Sequence, residues 1–375
     1  MAMRQRGFSN RPFGFSALDS GIGQLFMAGM PGPRVDEGTE ALIRDCNLGG
    51  VILFARNIEN PLQLAQLCLE LQERAMRYHR TPLFLAVDQE GGRVARLREP
   101  FTMFPGNAAI GMDEQPVERA MEFGLITARE MRLVGLNMNL APVVDVQRGE
   151  LEKHLAGRSF GEDPEKVGLL GRTVVRSLQE NGVMAVAKHF PGLGRTTVDP
   201  HFHLPVIEVG KEEMDEVNLG PFRAAIEEGV SAIMSSHAIY PDLDAERPAT
   251  LSPVILSSLL RERMGFEGLL ITDDLEMGAI AAKWPVAEGA VGAFNAGADI
   301  LLICKDQNNV FESIKFMRAE VARGGIGSES LDRTLDRIMG TKRKFLGRVE
   351  KVSLERVERY FEKATALPDS TLSSP

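Results

Sequence analysis

Short apolar runs recur along the chain, separated by longer stretches in which apolar and polar residues alternate with a slower beat. Eight runs stand out: GQLFMAG from Gly23, GGVILF from Gly49, LFLAVD from Leu83, LNMNLAPVVD from Leu136, MAVAKHF from Met184, SAIMSSH from Ser231, GLLITDD from Gly268 and DILLIC from Asp299. Their apolar residues are continuous, as a strand needs when both its faces are buried. NPLQLAQLCLELQERAMRY after the second run, PVERAMEFGLITAREMRLV before the fourth and EEMDEVNLGPFRAAIEEG before the sixth space their apolar residues as a helix does. Strands alternating with helices predict a parallel sheet covered by helices, and eight strands close an α/β barrel of the (β/α)8 TIM type. A doubly wound open sheet is the alternative, disfavoured because no GxGxxG follows the first run and no shift in composition marks a second domain. The expected organisation is an N-terminal extension over residues 1–20, a single barrel domain over 21–345, and a C-terminal helix and tail over 346–375. Two helical stretches after Arg323, SLDRTLDRIMGTKRKFLG and SLERVERYFEKA, are expected to pack outside the barrel, and LPDSTLSSP reads as a frayed end.

Polar residues fall at the ends of these runs. Asp88 ends the third, Asp145 the fourth, Lys188 and His189 the fifth, His237 the sixth and Asp273 the seventh. Buried parallel strands cannot carry unpaired charge in mid-run, whereas the C-terminal rim of a barrel gathers such groups around one pocket. Any one of them could instead cap the following helix; Asp273, with Glu276 three positions later, resembles a capping box.

The segment KHFPGLGRTTVDPHFHLP, from Lys188 to Pro205, holds Lys188, His189, Asp199, His201 and His203, three of the chain's six histidines. Pro191, Gly192, Gly194 and Pro200 interrupt it, so it reads as a loop. Histidine titrates near neutrality, and grouping it points to proton transfer or metal binding; the alternative is an ordered loop whose histidines bond backbone carbonyls.

Composition narrows the partners. A net charge of -9, no long basic run, three Tyr and one Trp argue against nucleic acid. Cys46, Cys68 and Cys304 form no CxxC pair and read as small buried hydrophobes. The first twenty residues lack the apolar core of a signal peptide, and no window reaches the length of a membrane span. A cytoplasmic protein without a membrane partner, monomeric or weakly homo-oligomeric, is expected.

Three chemistries fit a barrel with Asp, Lys and His at its mouth. In a metal-dependent hydrolase, His201, His203, Asp199 and His189 would be the ligands, although their spacing is only weakly specific. A Schiff-base aldolase would use Lys188. Glycosyl transfer to water needs an acid for the departing oxygen and, for retention, a carboxylate that attacks the anomeric carbon. Asp273 is a candidate nucleophile, and His201, oriented by Asp199 two residues before it, a candidate acid that also serves as base near neutral pH.

At this point the residues carry a resemblance. KHFPGLGRTTVDPHFHLP is similar to the KHFPGHG…DSH segment of glycoside hydrolase family 3 β-N-acetylhexosaminidases, the NagZ group of cell-wall recycling. GVILFARN from Gly50, VDQEGGRVARLR from Val87, APVVDV from Ala141, GRSFGEDP from Gly157, SSHAIYPDLD from Ser235 and ITDDLEMGA from Ile271 resemble further blocks of that family in order. The resemblance implies that residues 21–345 are the catalytic domain, that Asp273 is the nucleophile and His201 the acid/base, and that Asp199 and His201 form a dyad on a mobile loop. It further implies that Asp88, Arg96, Arg158, Lys188 and His189 hold the sugar hydroxyls and N-acetyl group, with His237, near the pocket, a further substrate-binding candidate. The implied activity is a retaining exo-β-N-acetylglucosaminidase, using no metal and no organic cofactor, on peptidoglycan-derived fragments or chito-oligosaccharides. Two alternatives share this site: a β-glycoside phosphorylase, since a histidine repels incoming phosphate less than a carboxylate would, and a non-catalytic sugar-binding relative. Leu193 and Pro200 depart from the family, which has His and Ser there. The first removes a polar group beside the substrate loop, and the second, with φ fixed and no N–H, limits the loop's swing.

Overall fold

The computed structural model describes residues 21–149, 155–347 and 351–366. The expected extension over 1–20 and the polar end from residue 367 lie outside them. The eight apolar runs form strands β1 (Phe26–Gly29), β2 (Gly50–Leu53), β3 (Phe84–Val87), β4 (Met138–Asn139), β5 (Met184–Phe190), β6 (Ala232–Ser235), β7 (Leu269–Thr272) and β8 (Leu301–Ile303). They run parallel in the order β8-β1-β2-β3-β4-β5-β6-β7. A parallel bridge between Ile271 and Ile300 joins the two ends, so the sheet closes on itself as the eight-stranded barrel expected. All the strand residues are buried, which is why their sequences read as unbroken apolar runs.

Helical segments cover the barrel: Glu37–Cys46, Pro61–Tyr78, Pro116–Leu133, Pro164–Glu180, Leu219–Glu227, the π-wound Val254–Arg263, Val286–Ala296 and Gln307–Ala322. Pro61–Tyr78 shows why they form. Asn60 accepts the Gln63 N–H, Pro61 occupies the first turn where no donor is missed, and Leu64, Leu67, Cys68, Leu71 and Ala75 make one buried stripe.

The fourth run is the one that departs from expectation. Only Met138 and Asn139 of LNMNLAPVVD form a continuous strand, because Pro142 offers no N–H; Val143 adds an isolated parallel bridge to Lys188. The rest follows β5 through single bonds, Val186 N–H to Ala141 O and Val144 N–H to Lys188 O, both 2.9 Å. This path delivers Asp145 next to Lys188 and His189.

Of the two C-terminal helices, Leu354–Ala366 packs against Pro61–Tyr78, with Phe361 edge-on to Phe101. Ser328–Leu346 lies beneath the N-terminal ends of the strands. Its buried Lys342 donates to Gln24 Oε1 at 2.7 Å and to Gly49 O at 2.8 Å, plugging the end of the barrel opposite the charged rim.

Candidate active site

The C-terminal ends of the strands surround a cavity of about 400 Å³. Asp88, Arg96, Arg158, Lys188, His189, His201 and Asp273 all line it. Residues from four different strand ends or their loops thus converge, as the charge at the run ends predicted.

One wall is an ionic network. Lys188, at the end of β5, donates to Asp88 Oδ1 at 2.8 Å and lies 2.7 Å from Glu90 Oε1. Arg158 grips Glu90 with both forks, Nε to Oε2 and Nη2 to Oε1, each 2.8 Å. Arg96 lies 3.5 Å from Asp88. Glu90 is 2% exposed; burial alone would raise its pKa, but the charges of Arg158 and Lys188 hold it well below the ordinary range. Burial likewise opposes the Lys188 charge, and Asp88 and Glu90 more than restore it, so the amine stays protonated. A protonated amine held by two carboxylates is not a Schiff-base nucleophile, and the aldolase alternative fails on this point.

Glu90 was not singled out by its sequence, yet it ties this wall together. It sits in a small hairpin, Gln89–Gly91 with Val94–Ala95, that follows β3. Gln89 braces the hairpin, its Oε1 accepting the Arg96 and Leu97 N–H groups at 2.9 Å. Glu90→Gln removes the buried charge that Arg158 and Lys188 share, and is expected to cost about 3–5 kcal/mol of stability. Because the native pKa is depressed, Glu90 stabilises the fold above the ordinary carboxylate range and that contribution is lost as pH falls through and below it. Acid unfolding followed by circular dichroism should therefore be shallower in the variant; an unchanged acid limb would exclude this role.

His189 is fixed from both sides. Its Nδ1 donates to Asp145 Oδ2 at 2.7 Å, which leaves Nε2 to accept from Arg158 at 3.4 Å. Asp145 Oδ1 also accepts the backbone N–H groups of His189 and Leu193, so this carboxylate organises the start of the long loop. Gly194 stacks there on the chain after β4; a Cβ would lie 1.8 Å from Val146 O.

Asp273 and Asp274 follow β7 as a pair with different environments. Burial would raise the Asp273 pKa, but His237, His189, the Asp274 N–H at 2.8 Å and Lys188 lower it below the ordinary value. Asp274 is pushed up to about 6, by burial first and then by the charges of Glu276 and Asp273. Its Oδ1 accepts the N–H groups of Glu276 and Cys304, bridging β7 to the end of β8. The capping box suggested for Asp273 does not form. Glu276 turns away and accepts the N–H groups of Lys305 and Asp306.

His237 differs from expectation. It is buried and does not line the cavity; Nε2 donates to Asp274 O at 3.0 Å, and Nδ1 meets Thr250 Oγ1 at 2.8 Å. With both ring nitrogens engaged, it supports the Asp273–Asp274 turn from below.

Asp199 and His201 pair directly. His201 Nδ1 lies 2.7 Å from Asp199 Oδ1, which also accepts the His201 N–H at 2.9 Å. Asp199 O accepts the N–H groups of Phe202 and His203, closing a turn that lifts the ring to the cavity mouth. Leu193 and Pro200 line the cavity too, whereas His203 is exposed outside it. The metal-ligand set proposed from the sequence is not gathered, since His189 is bonded to Asp145 and His201 to Asp199. Among the described residues no three His, Cys, Asp or Glu side chains converge to hold an ion. Further rim residues were not among the candidates named from the sequence: Phe54, with the Arg56 guanidinium 4.5 Å above its ring, and the exposed Arg93 and Lys305.

Comparison with known proteins agrees with this layout. The family model for the glycosyl hydrolase family 3 N-terminal domain matches residues 17–341. The β-hexosaminidase of Thiobacillus denitrificans is 37% identical over 283 residues, which are 74% of this chain and 77% of that protein. The glycoside hydrolase family 3 β-N-acetylglucosaminidase from Paenibacillus sp. superposes with a TM-score of 0.86 at 37% identity, over 92% of this chain and 68% of that one. NagZ from Neisseria gonorrhoeae, solved with N-trifluoroacetyl-D-glucosamine, gives a TM-score of 0.73 at 29% identity, over 91% of this chain and 96% of that one. No helix among the described residues is long and apolar enough to cross a membrane. On the extent of the family match, the identity to its members and the closed barrel with its charged rim, the chain belongs to glycoside hydrolase family 3.

Proposed function

We propose that this enzyme is a retaining exo-β-N-acetylglucosaminidase that removes terminal N-acetylglucosamine from peptidoglycan-derived fragments. The observation that carries the reading is that an ionised carboxylate, Asp273, and a carboxylate-oriented imidazole, His201, line one cavity beside a wall of charged donors and acceptors. Asp273 attacks the anomeric carbon as the bond to the departing oxygen breaks, and His201 Nε2 supplies that oxygen's proton. His201 then takes a proton from water as the water displaces Asp273. Asp88, Arg96, Arg158, Lys188 and His189 offer the forked donors and paired acceptors that vicinal hydroxyls and an acetamido group require.

The choice of aglycone rests on the rim. Arg56, Arg93 and Lys305 are exposed at the cavity mouth and favour an acidic leaving group, such as an anhydro-muramic acid residue, over a neutral chito-oligosaccharide. The test compares N-acetylglucosaminyl-anhydro-muramic acid with chitobiose. The acidic substrate should be preferred at low salt, and Lys305→Ala should narrow that preference about two- to fivefold. Faster turnover of chitobiose at low salt would overturn the aglycone reading. Proton NMR of the first-formed product should show the β-anomer. Inversion excludes retention, sugar 1-phosphate in phosphate buffer identifies a phosphorylase, and binding without turnover a non-catalytic relative.

A further inference from the structure

The acid/base loop is held by the same segment that carries Asp273. Gly278 N–H donates to His201 O at 2.9 Å, and Ala279 N–H donates to Pro200 O at 3.1 Å. These are donors of the first turn of the short helix Gly278–Ala281, which has no side-chain cap, and the loop carbonyls satisfy them instead. The approach is close enough to require glycine. A Cβ on Gly278 would lie 2.8 Å from both His201 O and Phe202 O. Gly278 does not adopt positive φ, so its own backbone would accept alanine and the cost falls on the loop alone.

We infer that Gly278 is a positioning residue for the acid/base, setting how far the His201 loop seats toward Asp273. His201 is then held through its carbonyl by Gly278, and through its N–H and Nδ1 by Asp199. Nucleophile and acid/base, more than seventy positions apart in the chain, share one support five residues beyond Asp273. Pro200 contributes a second anchoring carbonyl without an N–H of its own to bond elsewhere.

A Cβ at Gly278 forces the loop back by about half an ångström to reach ordinary contact, and displacements on the order of 1 Å cost about a hundredfold in catalysis. The inference rests on His201 being the acid/base, so the test uses substrates that need that acid to different degrees. A 2,4-dinitrophenyl β-N-acetylglucosaminide departs without protonation, whereas a phenyl β-N-acetylglucosaminide does not. Gly278→Ala should lower kcat/KM on the phenyl substrate about tenfold, and Gly278→Val about a hundredfold, with the dinitrophenyl substrate changed less than about twofold by the alanine variant. The inhibition constant for free N-acetylglucosamine and the melting temperature should stay near wild type, because the displaced atoms belong to an exposed loop. Equal losses on both substrates, or none on either, would overturn the inference. His201→Ala is the reference: if it shows no dependence on the leaving group, the acid/base assignment fails; if it does and Gly278→Ala does not, only the positioning role fails.

Discussion

Asp273→Asn should reduce turnover of an aryl β-N-acetylglucosaminide by at least about 10⁴-fold, the scale expected when a covalent nucleophile is removed from an otherwise intact site. The amide is nearly isosteric and can still accept the Asp274 N–H, so the loss belongs to the missing negative charge. Asp273→Gly opens space for a small anion, and azide should restore turnover with an α-glycosyl azide as product, because external attack replaces one of the two displacements. Near-wild-type turnover in Asp273→Asn, or a β-azide from the glycine variant, would remove Asp273 from this role.

The neighbouring Asp274 is the control that sharpens this result. A carboxyl pushed up to about 6 is a poorer standing anion than one lowered beneath its ordinary value, and two adjacent acids separated in this way take different tasks. The structural work of Asp274 is to accept the N–H groups of Glu276 and Cys304 through one oxygen. Asparagine can do the same, so Asp274→Asn should stay within about tenfold of wild type.

Much of this arrangement was legible because of where charge is tolerated. Asp88, Asp145, Lys188, His189 and Asp273 stood out at the ends of apolar runs, and the barrel places them together because only its rim can hold them. The tandem acids were a different matter. Nothing in the spelling TDD says which carboxylate stays ionised; that depends on His237, His189 and Lys188, which approach from other strands. Glu90 was missed because its hairpin is too short to leave a periodic trace, and because its partner Arg158 lies 68 residues away. An acid three residues past a strand end and followed by two glycines was the available clue. His237 was placed at a strand end correctly, yet it turned inward to Thr250 and the Asp274 carbonyl, a choice made by tertiary packing. Arg93 and Lys305 are exposed cations in a chain with 43 lysines and arginines, and no local pattern distinguishes them.

The acid/base pair should behave as one unit. His201→Ala is expected to lose about 10²–10⁴-fold in kcat/KM on the phenyl substrate, the usual worth of a positioned proton donor, and far less on the dinitrophenyl substrate. Asp199→Ala should lose nearly as much, because its carboxylate engages both the His201 N–H and Nδ1, fixing the ring's orientation so that Nε2 faces the departing oxygen. Once either member is gone the other has little left to do, so the double variant should resemble His201→Ala alone. Additive losses would mean that Asp199 acts on the substrate directly. The His201 side chain is 55% exposed, so the pair draws little from a low-dielectric surrounding. Its contribution comes from orientation, which Asp199 sets within the loop and Gly278 sets between the loop and the barrel.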